Sequence, residues 1–555
     1  MDRRSFLRFK REPRTADKAA FQQVKVAPRP PLSGLDPYDG PWDTEQVVHL
    51  LRRTMFGAKN SDVNYIKTLT LQDAVELLLT DLPAPPPPVN DYDNGDDVVD
   101  AGVPPGETWI NAEYNGEVEW WRTMSLKCWW MGHMLHQQPN LTEKMTLFWH
   151  NHIPVQMWPI FDGRYSYKYL AMMRANCLGN FKTLIREVTL DPAMLFYLNG
   201  VYNEVGAPDE NYGRELQELF CIGKGPGSQY TEEDVQAAAR VLTGWKAEWD
   251  YPNTYFAAWA HDTNDKQFSA FYGNTVIEGK EGEEGATELD EMLDMIFATQ
   301  ETALYLCRKL YTYFVYHVID DQTETNVIEP LAQIFRDNNY EIKPVLRALF
   351  NSQHFFDSLN RGAMLKSPLD LVIGMARENH VVFPDLSDYK ETFWSKFSMY
   401  WWLYDMLQDP GDPPNVAGWP AYYQSPAFYK YWISTSTLPR RGQHADNLIY
   451  WGYGTDNGVY GMDVVQFVAT LQSPADPNTL IDEVLKNYYM IDVSDEVKLF
   501  LKSILLSGQQ SDYYWTIAWE DYVDNPGNQM AYFTVESRLQ PFFHFVFQLE
   551  EFQLH

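Results

Sequence analysis

Two histidines, His150 and His152, close an apolar run in KMTLFWHNHIP, Lys144 to Pro154. Imidazoles serve as general bases and metal ligands, but side chains at i and i+2 do not share a helix face. They converge on one ion only where the helix unwinds, and Pro154 disfavours helical geometry at Ile153. The alternative is that they donate to unsatisfied carbonyls at the helix end. A second cluster lies in DENYGRELQELFCIG, Asp209 to Gly223. Glu215 and Glu218, three apart, can act as acid and base or share a metal, with Arg214 tuning one of them. A routine Arg214–Glu218 pair on an exposed helix explains the same spacing. In YTEEDVQAAARVLTGW, Arg240 stands beside a small-residue face of Val235, Ala238, Ala239 and Leu242. Inside the protein it would need a carboxylate, for which Glu215 and Glu218 are natural candidates. Finally, WAHDTNDKQF sets His261 beside Asp262 in a loop-like segment, where ligands and catalytic groups are commonly displayed. The expected catalytic set is therefore Arg214, Glu215, Glu218 and Arg240. The expected ligands, for one divalent transition metal, are His150, His152, His261 and Asp262.

Helices must position these groups. Asp43 and Gln46 predict a helix start that runs through DTEQVVHLLRRTMFG, and a second helical stretch breaks near Thr68. VEWWRTMSLKCWWMGHML is apolar on nearly every side and reads as a buried central helix. Asn140 with Glu143 predicts a capping box for the histidine helix, and Thr231 with Asp234 predicts another. Tyr212, Leu216, Leu219 and Phe220 form one core-facing stripe. Residues 82–107, rich in Pro and Asp, read as a long exposed loop. Residues 247–280 read as an irregular insertion with at most a small hairpin, and 409–427 as a Pro- and Tyr-rich excursion whose Trp419 buries against the body. The fold class is all-α: a large, orthogonal bundle-like body. A basic arm occupies 1–40, the main domain 41–440, and a C-terminal helical segment, 441–555, packs on it.

Composition narrows function further. A net charge of −32 over 555 residues argues against a nucleic-acid partner, because phosphate binding needs clustered cations. No run approaches the roughly 18 apolar residues of a membrane-spanning helix. The 19 Trp, 35 Tyr and 30 Phe can fill cores or stack on sugars and polymers. Cys128, Cys177, Cys221 and Cys307 lie far apart and read as structural thiols. Arg3 and Arg4 before Ser5-Phe6-Leu7 approach a twin-arginine export signal, yet a basic, polar stretch follows where an apolar core belongs. The start is either a degenerate remnant or an ordinary basic arm, and no cleavage is expected. Phosphate loops, nucleophile elbows and H-E-x-x-H patterns are absent from the sequence.

Taken in order, the motifs HLLRRTMFGA (49–58), KMTLFWHNH (144–152), DPAMLFYLNG (191–200), ENYGRELQELFCIG (210–223), YTEEDVQAAARVLTGW (230–245), His261-Asp262, ETALYLCRKLYTYF (301–314), LKSPLDLVIGMAR (365–377) and PPNVAGWP (413–420) resemble the large bacterial proteins grouped as domain of unknown function 1800. The resemblance covers about 45–440, and the C-terminal helices are expected to follow. Cys221, Gly213 and Ile153 stand where Thr, Ala and Phe are usual. It implies a bacterial cell-envelope or exported setting, against a cytoplasmic one on the missing signal core. It also implies a partner from a sulfatase-like exported family, domain of unknown function 1501. It implies no reaction. Two readings follow. In one, a pocket built from these motifs performs metal-assisted or acid–base hydrolysis on an envelope or polymeric substrate. In the other, the same residues form a packing network in a binding or assembly protein whose partner is an exported protein or a polysaccharide. Accessibility discriminates them: a catalytic set lines a cavity that substrate can enter, whereas a structural network is sealed and paired.

Overall fold

The computed structural model describes residues 34–385, 387–419 and 432–555. Most of the basic arm and residues 420–427 of the 409–427 excursion therefore lie outside the described residues. The rest is helical apart from loops and three two-stranded antiparallel hairpins, where at most one was expected.

Local signals act as the sequence predicts. Asp43 caps Thr44–Thr54 by accepting the Glu45 N–H, and Thr231 with Asp234 closes a reciprocal capping box on Glu232–Val241. The expected box at Asn140 and Glu143 does not form. Asn140 accepts from the Thr142 amide, while Glu143 turns inward to pair with Arg174 at 2.8 Å.

The 18-residue helix Glu119–His136 is buried over most of its length. It packs against Gly163–Asn176, Pro368–Glu378 and Tyr389–Asp405, burying Met124, Leu126, Trp130, Met131 and Met134. Two of its buried side chains are cations, and a buried charge must be paired. Arg122 meets Glu119 and Asp100, and Lys127 meets Asp409 and Asp412. This corrects the reading of 82–107 as an exposed loop. The segment is irregular, but Asn90, Tyr92, Asp93 and Asp100 are buried, because Asp100 is needed against Arg122 and accepts the Tyr92 hydroxyl as well.

One contiguous apolar cluster runs from Val47 to Phe552. The C-terminal helices assemble around Gln529–Gln548. They join the rest through Arg52, which donates to the Asn487 and Tyr488 carbonyls, and Arg441, which donates to the Lys366 carbonyl. All four cysteines are buried free thiols. No helix among the described residues is long and apolar enough to cross a membrane.

Candidate functional site

The helix Thr142–His152 is buried along its whole length and ends at Ile153, as Pro154 dictates. His152 Nε2 lies 2.9 Å from the Phe220 carbonyl, so this nitrogen carries the proton. Its ring stacks on Phe148. Burial, then the charge of Lys309, lowers its pKa to about 3. It is a fastener, though of the neighbouring helix rather than its own. His150 is also buried and held neutral, burial and then Lys127 lowering its pKa to about 3. It packs against the rings of Trp130 and Tyr169, and neither nitrogen makes a well-formed hydrogen bond.

The carboxylate segment begins as an α-helix, Asn211–Glu215, and widens into a π-helix over Leu216–Cys221. The Ile222 and Gly223 amides both reach back to the Gln217 carbonyl. This extra residue per turn shifts the predicted stripe: Tyr212, Leu216 and Phe220 are buried, whereas Leu219 is only partly so. Gly213 sits against Ala238 and the Ala239 amide, the close helix approach that the small-residue face allows. Arg214 does not meet Glu218. It pairs with Glu210 at 2.8 Å and Glu232 at 2.7 Å, and Glu218 pairs with Lys224. Glu215 is half-buried, with Oε2 sealed from solvent and without a hydrogen-bond partner. Burial first, then the charge of Glu218, raises its pKa. π-Segments are frequent at functional sites, and this carboxyl is the motif group best suited to carry a proton.

Arg240 meets neither Glu215 nor Glu218; its Nε donates to Asp262 at 2.7 Å. Burial opposes ionisation of Asp262, but bonds from Arg240 and Asn264 overcome it and hold the carboxyl well below its usual range. His261 turns the other way. Its Nδ1 faces the Thr243 carbonyl at 2.8 Å, and Nε2 faces Glu288 at 3.1 Å. Lys266 and the Lys280 amide complete the shell of Glu288, and the side chains of His261, Lys266 and Glu288 are almost fully sealed.

The expected metal set therefore does not assemble. His150 and His152 project to different neighbours, as the i, i+2 spacing requires, and His261 and Asp262 are engaged elsewhere. Among the described residues no three His, Cys, Asp or Glu side chains converge to hold an ion.

The motifs instead hold one another. Lys144 pairs with Asp370, the Asn151 side chain accepts the Trp419 amide at 2.7 Å, and His152 reaches the Phe220 carbonyl. The Tyr305 hydroxyl donates to the Leu219 carbonyl at 2.8 Å, and Arg240 pairs with Asp262. At the Asn151 junction Gly418 has φ +81°, and a Cβ there would lie 2.2 Å from the Asn151 carbonyl oxygen. Only glycine fits.

An open cleft lies beside this network. Its first hollow, about 590 Å³, is lined by Tyr114, Phe161, Tyr165, Phe196, Tyr197 and Trp249, with Gln156, Asp162 and Asn199 among them. The second, about 570 Å³, is bounded by Lys246, Glu248, Tyr251, Tyr255 and Trp259. Tyr202 and Trp249 belong to both. These rings are unusually open: Trp259 is 74% exposed, Trp249 68% and Tyr202 59%. The hairpin Trp245–Ala247/Thr254–Phe256 carries Trp249 and Tyr251 on its turn and Tyr255 on its second strand. That turn is pinned from helix Gly163–Asn176: Tyr165 reaches the Glu248 and Tyr251 carbonyls, and Arg164 donates to the Asp250 carbonyl. Phe196 props the Trp249 ring from behind at 4.6 Å. Two lining residues, Phe161 and Asn199, hold left-handed backbone at φ 49° and 63°, a strained state that clusters at ligand clamps.

A family model described as "Protein of unknown function (DUF1800)" matches residues 49–554. The chain belongs to this family. No curated protein and no solved structure matches the chain. The DUF1800 match takes in both the motif pairings and the cleft, and extends through the C-terminal helices. Sequence reasoning found the polar members of the DUF1800 network but missed the rings of the cleft. Their signal was available in EWDYPNTYFAAW (248–259), where aromatics sit among Asp, Asn and Pro without helical period.

Proposed function

We propose that this DUF1800 member is a non-catalytic binding or assembly protein of the bacterial cell envelope, in which the polar motifs are scaffold and exposed aromatic surface is the working face. One observation carries the reading: the motifs bond to each other in buried or half-buried contacts, and none of the candidate catalytic or metal-binding side chains lines either hollow of the cleft. A polar network whose members mostly pair with one another can specify structure without needing to do chemistry. The envelope setting draws on the twin-arginine-like start and on the family resemblance. Urea unfolding of an Arg240→Ala variant tests the reading. Loss of the cation removes the ion-pair partner of Asp262 and leaves it only its bonds from Asn264, so a measurable stability loss is expected; an unchanged unfolding curve would remove the support.

A second reading, acid–base hydrolysis at Glu215 and Glu218, draws on the unpartnered oxygen and raised pKa of Glu215. A Glu215→Gln variant separates the two. The scaffold reading expects ligand capture to survive that change, whereas the hydrolytic one expects turnover of a glycan substrate to be abolished by it.

A further inference from the structure

Resting on that binding reading, we infer that the twin hollows form a binding site for an uncharged polysaccharide chain, held by its pyranose rings against Trp249, Tyr202 and Trp259. Two hollows that share a wall suit an extended ligand that continues from one into the other, and each lies within the ordinary 300–1,000 Å³ range of ligand pockets. The lining alternates ring faces with hydrogen-bonding groups: Gln156, Asp162 and Asn199 in the first hollow, Glu204 and Glu248 in the second. That alternation matches a sugar, which offers an apolar C–H face and a rim of hydroxyls. An aromatic ring covers the face, and carboxylates and amides accept from the rim.

Charge decides the class of polysaccharide. Lys246 is the cation of the lining among the described residues, and it is already held by Glu204 at 2.7 Å and by the Val201 carbonyl at 2.6 Å. Glu248 and Asp250 add negative charge to the wall. A uronate or sulfated chain would find no uncommitted cation there, and the whole protein, at −32, would repel it. An uncharged chain meets no such penalty. The pinned hairpin turn and the propped Trp249 ring are ordered before ligand arrives, which lowers the entropic cost of binding.

Isothermal titration calorimetry on the full chain tests the assignment, with cellohexaose, maltohexaose and chitohexaose as neutral probes and hexagalacturonate as the polyanion. At least one neutral hexasaccharide is expected to bind. Trp249→Ala should weaken it by roughly tenfold or more, the loss of one well-formed ring contact. Trp249→Phe should stay within about threefold, because Phe keeps a ring for stacking. Trp451→Ala, at an exposed ring outside the cleft, should bind as the parent does. No binding by any neutral probe, binding that survives a folded Trp249→Ala/Trp259→Ala double variant, or preference for hexagalacturonate would each overturn the inference. Failure here leaves the scaffold reading to its own test: an Arg240→Ala variant that unfolds early while no sugar binds rejects the glycan and keeps the scaffold.

Discussion

The motif network and the aromatic cleft use their side chains in opposite ways. In the network, charged and polar groups are withdrawn from water and most are matched with a partner: Lys144 with Asp370, Arg240 with Asp262, and Glu288 with both His261 and Lys266. In the cleft, large apolar rings are left in water with little packed above them. Burying a charge and exposing a tryptophan both cost free energy, so each needs a reason. Pairing between distant segments supplies it for the first: these contacts fix which helix lies against which. A ligand supplies it for the second. The lesson is that the residues most suggestive of chemistry in the sequence hold the molecule together, while the least periodic aromatic segment presents a surface.

Substitutions can break this contrast. The largest effect is expected at Glu288→Ala, which strands Lys266 and His261 in a sealed pocket. A loss of about 3–5 kcal/mol is expected by chemical denaturation, the usual cost of breaking a buried pair. A loss below about 1 kcal/mol would mean that the pocket is wetter than its sealed side chains indicate.

Acidification should weaken the network next. In the fold, His150 and His152 protonate only near pH 3, whereas in the unfolded chain they do so near 6.5. Between these values the unfolded state binds more protons, so stability is full above about pH 6.5 and falls as pH drops toward 3. Each histidine should contribute on the order of 1 kcal/mol or more to that fall. Denaturation midpoints measured from pH 7 to 4 check the slope, and a His150→Asn/His152→Asn variant should flatten it.

The cleft should behave otherwise. Trp249→Ala and Trp259→Ala are expected to change unfolding free energy by no more than about 0.5–1 kcal/mol, since both rings are already largely in water. A greater loss would make them part of the core. The smallest effect belongs to Arg214→Gln. Its pairs with Glu210 and Glu232 lie near the surface, and surface pairs are weak. No resolvable change in melting temperature is expected.

Much of the fold was legible because helical signals are local. The Thr231–Asp234 box, the Asp43 cap and the stop at Pro154 each depend on neighbours in sequence, and each holds. What failed depended on partners far along the chain. Arg240 was matched to carboxylates of the preceding helical segment because Asp262 reaches it only after the hairpin insertion folds back. Residues 82–107 read as exposed because nothing in their composition reveals Arg122, the buried cation that draws Asp100 inward. The π-helix at Leu216–Cys221 was invisible because its stripe fits an α-helix nearly as well. The polar motif residues of the site were legible, but period and spacing could not distinguish a pairing partner from a ligand, and the cleft's rings follow no period at all.

In this fold the motifs act on each other. A double-mutant cycle on Lys144 and Asp370 tests it most directly, since this buried pair joins two motifs more than two hundred residues apart in sequence. Lys144→Met, Asp370→Asn and the double variant are compared with the parent by equilibrium urea unfolding. A coupling free energy of about 1–3 kcal/mol is expected, with the double variant less damaged than the sum of the single ones. Additivity within about 0.3 kcal/mol would contradict it.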